Sequence, residues 1–440
     1  MASEVRYGKK VLAKAGAVLA AAAALVPLSG CGNTYRAVVS SINPVGPATQ
    51  PQKLLAVVSD PGSGQPGLIT VVDFSGDTVL AIANIAPKPT YFDLAPASNG
   101  GTGYSLHTSS SGTVMNNFDV SPSLKTNIVY STTLFSNANA NSLFATSSGA
   151  FVSELGRSAV GQIIGGSPAS LRQEYDVAAN PQYVVGLTTG TRYYAISQGS
   201  GSTGSVAAID TSTNTISSSI NVGTQPVYGV MSSDAKRVFV MNKGSNTVSV
   251  INSQANTADV AHPTIAVGTA PVWADVVSSI NELLVLNQGS TTSSLSVVSV
   301  PLCNANSSTS NPNCDTNNPV DATDFGTVVA TVPLGTNCTQ VSALQDGTRA
   351  YVMCNDDPTA SDANNGLVYV VNLTTNTVTA KVKVVGHPNW ITAVTGTPKG
   401  KIYTTASDSH FLTVIDTSTD TRYTTIDVLG NGVSVRRNAQ

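Results

Sequence analysis

The side chains best suited to recognising a ligand recur on a ruler. Pro89-Thr90-Tyr91, Pro181-Gln182-Tyr183, Pro226-Val227-Tyr228, Pro271-Val272-Trp273 and Pro388-Asn389-Trp390 each set an aromatic two residues after a proline. Steps of 45 separate Pro181, Pro226 and Pro271, and both tryptophans of the chain belong to the set. Tyr and Trp offer a flat apolar face with a polar edge, which suits stacking on a sugar or another flat ligand. The same recurrence also suits rings that wedge between repeated units and fix their packing. Tyr91, Tyr183, Tyr228, Trp273 and Trp390 are therefore the candidate ligand-binding residues, with packing as the competing role.

Other chemistry is sparse. His107, His262, His387 and His410 follow no metal-ligand spacing, so solvent-exposed loop positions are expected. Asp356, Asp357 and Asp362 form an acidic loop whose oxygens suit calcium, but the ordered spacing of an EF-hand is missing. No nucleophile motif, phosphate loop or Cys-x-x-Cys-His haem site occurs. No catalytic residue, metal site or cofactor is expected from these patterns.

The first thirty residues carry an address. Arg6, Lys9 and Lys10 form a positive start, and an alanine-rich apolar run from Val11 leads to Leu28-Ser29-Gly30-Cys31. Small residues before a cysteine, after a short apolar run, resemble a bacterial lipobox. The expected order is a signal peptide over 1–30, lipid on Cys31, and a flexible tether over 31–52 rich in Ala, Pro, Gly and Ser. Acyl chains on Cys31 would hold the protein at a membrane without a spanning helix. Gly32 stands where an inner-membrane retention signal would place Asp, so the outer membrane is the expected site. The competing readings are a plain secretory signal or a membrane anchor. Without the leader, 18 Lys and Arg face 24 Asp and Glu, a net charge of −6 with no basic face. Nucleic acid is not an expected partner.

Four cysteines remain after Cys31, an even number that suggests two disulfides in an exported chain. Cys338 and Cys354 each lie eight residues from Asp346 in the turn Gln345-Asp346-Gly347, so a hairpin bent there sets them face to face. Cys303 and Cys314 are left to close a polar loop.

The elements that position the aromatics are strands. Arg237 to Thr257 holds two β-branched runs, Val238 to Met241 and Val248 to Ile251, split by the turn Asn242-Lys243-Gly244-Ser245-Asn246. An apolar run ending in Asp or Asn recurs at Asp73, Asp119, Asp210, Asn252, Asn372 and Asp416, with weaker copies near Gly165 and Ser299. The steps are 46, 46, 45, 42, 47, 73 and 44, and only the sixth, which holds Cys303 and Cys314, departs from about 45. The proline ruler agrees, with proline-free copies expected near Leu134, Cys338 and Gly432. A charged content of 11% and few helix formers favour many short strands.

With the repeat on the page, Phe239-Val240-Met241-Asn242 and Gly244 to Asn252 resemble the YVTN family of β-propellers. Tyr194 to Asp210, Val285 to Ser290 and Tyr369 to Asn372 match in part. The resemblance covers roughly 53–440 and is weakest from 101 to 190. It implies an all-β propeller, while the family's surface, secreted and electron-transfer members leave the chemistry open. Eight four-stranded blades are expected over 53–440, or seven if the copy near Gly165 is no sheet. Val433-Ser434-Val435 would add the innermost strand of the first blade and close the ring. The expected function is a non-enzymatic binding or scaffolding module at the cell envelope, for a protein or glycan partner. The alternative is a lactonase-like hydrolase or an electron-transfer-associated propeller enzyme.

Overall fold

The computed structural model describes residues 53–97, 100–109, 112–121, 129–134, 137–301, 324–355, 366–396 and 399–438. The expected signal peptide, Cys31, the tether, the Cys303–Cys314 pair and the acidic loop at Asp356, Asp357 and Asp362 lie outside these residues. The described residues hold strands and no helix, arranged as eight antiparallel sheets. The weak copy near Gly165 is a true sheet, formed by Ala140–Thr146, Gly149–Glu154, Ala159–Ile164 and Ser170–Asp176. The protein is an eight-bladed β-propeller.

Blade 1 joins the chain ends. Its inner strand is Asn431–Arg437, which pairs antiparallel with Leu54–Asp60. Blades 2 to 8 begin with inner strands Pro89–Ala97, Ala140–Thr146, Pro181–Gly186, Pro226–Met231, Pro271–Val277, Cys338–Ala343 and Pro388–Val394. Successive inner strands touch around the whole ring, the last meeting Asn431–Arg437. The proline-free copy expected near Leu134 begins at Ala140, because the link from Thr133 to that strand is longer than the ruler allows. In blade 5 the outer strand is split into Thr257–Ala258 and Thr264–Ala266, both on Thr247–Asn252.

Burial explains the strand sequences. Second strands such as Gly149–Glu154 and Lys401–Ala406 are buried at every position, because a blade's middle is covered on both faces by its neighbours. Outer strands such as Thr377–Lys383 alternate exposed and covered residues and are rich in Thr. Cys338 lies opposite Cys354 in the register of blade 7, and the two form a disulfide.

Neighbouring blades are latched by side chains. Lys401 Nζ of blade 8 donates to Asp77 Oδ2 at 2.7 Å and to the Phe74 carbonyl at 2.7 Å, while Tyr403 donates to Asp77 Oδ1 at 2.8 Å. Blade 7 repeats this on blade 8: Arg349 Nε sits 3.2 Å from Asp420 Oδ2 and Tyr351 donates to Oδ1 at 2.8 Å. Blade 4 reaches blade 5 through Tyr194 to Asn256 Oδ1 at 2.7 Å. Asp77, Asn256 and Asp420 each end a tight turn at φ 52–54°, a conformation Asp and Asn tolerate better than most residues. The latch of blade 8 crosses the closure and is almost fully buried.

Removing one partner of a buried ion pair strands the other without compensation. Asp77→Ala should therefore lower stability in urea by about 3–5 kcal/mol, whereas Tyr403→Phe should cost about 1 kcal/mol. Equal urea midpoints for wild type and Asp77→Ala would refute the latch at the closure.

Candidate functional site

The inner strands share one irregularity that builds the site. In all eight blades the pairing register slips by one residue at the strand's start, between Pro89 and Tyr91, Pro271 and Trp273, Pro388 and Trp390, and at the equivalent places. Proline has no N–H to give to the ladder, so the extra residue of a bulge falls there at little cost. The bulge re-aims the next side chain, two residues after the proline, at the axis.

All five sequence-selected aromatics meet there. Tyr228 stacks on Trp273 with centroids 3.9 Å apart and planes 13° off parallel. Tyr183 tilts against Tyr228 at 4.8 Å, Trp273 meets Trp390 edge-on at 5.6 Å, and Trp390 meets Tyr91 edge-on at 5.9 Å. Across the remaining gap the phenols of Tyr91 and Tyr183 sense each other. The remaining equivalent positions hold Ser142, Gln340 and Ser434. The aromatics thus pack on one another across the axis and do not line an open tube. Burial pushes the Tyr91 hydroxyl up to about 12, against the pull of Arg436, and drives Tyr183 and Tyr228 well above the usual phenol range.

Two residues further along each strand lies a second layer, with Arg436, Asp93, Phe144, Val185, Val230, Asp275, Ser342 and Thr392 in blade order. Arg436 Nε sits 2.8 Å from Asp93 Oδ1, and its guanidinium carbon is 3.8 Å from the Trp390 ring centre. Burial works against the Arg436 charge, but Asp93 and the three phenols raise it above its ordinary value. Three members also tie blades together: the Ala145 N–H donates to Asp93 at 3.0 Å, Ala343 to Asp275 at 2.9 Å, and Ala393 to Ser342 at 3.0 Å. Burial pushes the Asp275 carboxyl up to about 6, partly offset by the Ala343 N–H and by Arg437.

Residues of both layers line a cavity of about 250 Å³. Tyr183, Tyr228 and Trp273 present their rings to it, and Asp93, Thr188, Thr392, Arg436 and Arg437 line its walls. Chemically it is an aromatic floor under a charged and hydroxylated wall.

The histidines stay apart from the axis cluster. His107 differs from expectation: it is buried on Gly100–Ser109, 2.7 Å from Ser105 Oγ, and burial holds it down to about 4, so it stays neutral at neutral pH. The apolar interior of blade 2 covers a position that the sequence places in a loop. His387 and His410 each sit beside their own aspartate, Asp408 at 2.7 Å and Asp427 at 2.9 Å. Among the described residues no three His, Cys, Asp or Glu cluster as metal ligands.

Sequence reasoning missed Asp93, Asp275, Arg436 and Arg437. A signal was there: Asp93 follows Tyr91 by two residues as Asp275 follows Trp273, and Arg436-Arg437 directly follows the tail run Val433 to Val435.

No family model matches the chain, and no curated protein does. Solved structures match the fold. The dihydro-heme d1 dehydrogenase NirN, solved in complex with DHE, is 11% identical with a TM-score of 0.60, over 90% of this chain and 78% of that one. A putative 6-phosphogluconolactonase from Bacteroides fragilis is 12% identical with a TM-score of 0.53, over 89% of this chain and 99% of that one. At such identities the likeness is one of propeller fold.

Asp275 gives a pH test with a definite sign. Its folded carboxyl holds the proton more tightly than the ordinary value of 3.8, so its contribution to stability is complete below about pH 4. That contribution is lost as pH rises through about 6, by about 3 kcal/mol in all. Asp275→Asn should remove the fall. The stability of wild type minus variant, measured in urea at pH 4 and pH 7, should drop by that amount, and a flat difference contradicts the assignment.

Proposed function

We propose that this protein is an exported, lipid-anchored β-propeller of YVTN type that acts as a non-enzymatic binding module at the cell envelope. Its axial cavity would hold the terminal ring of a glycan or a similar flat ligand, and its loops would be open to an envelope partner. The observation that carries this reading is the meeting of five aromatics, among them both tryptophans of the chain, three of which line a small cavity that also holds charged and hydroxylated side chains. Their mutual packing also supports a structural role, and the two roles share the same side chains. What favours binding is the cavity itself: a ring wedge needs no charged, hydroxylated space above it.

Both tryptophans lie in the cluster, so tryptophan fluorescence, excited selectively over tyrosine, reports on this site alone. Titration with monosaccharides should shift or quench it saturably, and Trp273→Ala should weaken the binding by about tenfold, with Trp390 still reporting. A folded Trp273→Ala protein that binds as wild type does removes the reading. The alternative, a lactonase-like hydrolase or an electron-transfer-associated enzyme, draws only on the fold shared with the two neighbours. Lactone turnover abolished by Asp275→Asn would move the function to that class.

Lipid attachment has its own test. Cys31→Ser should move the protein from the membrane to the soluble envelope fraction and stop incorporation of labelled palmitate. Unchanged membrane association would remove the anchor.

A further inference from the structure

The charges around the axial cavity do not balance at short range. Arg436 has its carboxylate, Asp93, at 2.8 Å and rests on Trp390. Arg437 lines the same cavity and donates through Nη1 to the Ala393 carbonyl, but forms no ion pair among the described residues. A guanidinium has five N–H donors in a rigid fork, so one backbone carbonyl leaves most of that fork unassigned. Lys53 adds a further positive charge nearby: it donates to the Thr395 carbonyl, and burial and the repulsion of Arg437 both disfavour its ammonium form. The carboxylate that Arg437 senses is Asp275, whose Oδ2 is committed to the Ala343 N–H and which burial pushes toward its neutral form.

We propose that the cavity takes a sugar acid, with the ligand's carboxylate received by the fork of Arg437. The inference rests on the axial-pocket reading and deepens it by fixing the charge of the ligand. A purely structural Arg437, tying the closing strand to blade 8 through Ala393, needs one N–H and would not require a guanidinium. Arg437 is only partly buried, so its remaining N–H groups face solvent, and a ligand carboxylate would replace that solvent with charge-assisted bonds. The rest of the lining fits the same molecule: Tyr183, Tyr228 and Trp273 form an aromatic floor beneath a pyranose ring, and Thr188 and Thr392 offer hydroxyls. At about 250 Å³ the space is smaller than the ~300–1,000 Å³ of drug-sized sites, so it suits one terminal ring.

The test is a fluorescence titration of the intact protein with D-glucuronate and with D-glucose. Glucuronate should bind about tenfold more tightly or better. Arg437→Gln should erase that preference, bringing glucuronate to the affinity of glucose for the same variant, while Arg437→Lys should keep part of it. Saturable binding of both sugars with equal affinity overturns the anion assignment and leaves the pocket standing. No saturable response to either sugar overturns both. Should Arg437→Gln fail to fold by circular dichroism, acetate decides. It should compete with glucuronate and not with glucose, and any other pattern refutes the role of Arg437.

Discussion

Everything at the axis depends on one pairing, Asn431–Arg437 against Leu54–Asp60. A single four-stranded blade has two apolar faces and cannot cover both, so the ring must close before any blade is stable. The closing strand does more than seal the sheet. Among the inner strands it is the one that carries cations, Arg436 and Arg437, and it delivers both to the centre. Closure and charge are thus set by the same seven residues. The closure is reinforced from outside by the buried Lys401–Asp77 latch and at its end by Asn438, whose side chain accepts from the Leu54 N–H at 2.7 Å.

The aromatic cluster shows how packing and recognition share residues. Each ring contact contributes about 0.5–1.5 kcal/mol beyond area burial, so the cluster stiffens the centre of the wheel. The same contacts fix the rotamers of the rings, and a pre-ordered floor spares a ligand the entropy of organising it. Arg436 belongs to this frame: stacked on Trp390 and paired with Asp93, it holds the floor from the side. Arg437 stands one residue further along the strand, and its fork is left largely free.

Much of the fold was legible because periodicity is a one-dimensional signal. The 45-residue steps gave eight blades, and the turn at Asp346 gave the Cys338–Cys354 bond, since register in a hairpin follows from counting. The aromatic ring was legible for the same reason. The bulge that turns those aromatics inward was not, because a register slip depends on the partner strand as much as on Pro89 or Pro271. His107 was misplaced because its strand has little apolar alternation, with Gly101, Gly103 and Ser105 before it. Arg436 and Arg437 went unread because a basic pair near a chain end looks like a solvated tail until the strand is known to lie at the axis.

The departures from the repeat follow from symmetry itself. A ring of eight copies brings equivalent side chains toward one line, and eight carboxylates at the position of Asp93 could not all ionise there. That layer must therefore diverge, and it does: two aspartates, one arginine, two hydroxyl residues and three apolar ones. Away from the axis the pressure is absent, and the latch of basic residue and tyrosine to a turn Asp recurs in blades 7 and 8. The latch is not shared by every blade: blade 6 has Glu282 and Leu284 in those positions, and burial pushes the Glu282 carboxyl up to about 7. Sameness in the outer strands builds the wheel, and forced difference at its centre is what lets an axial site have a chemistry of its own.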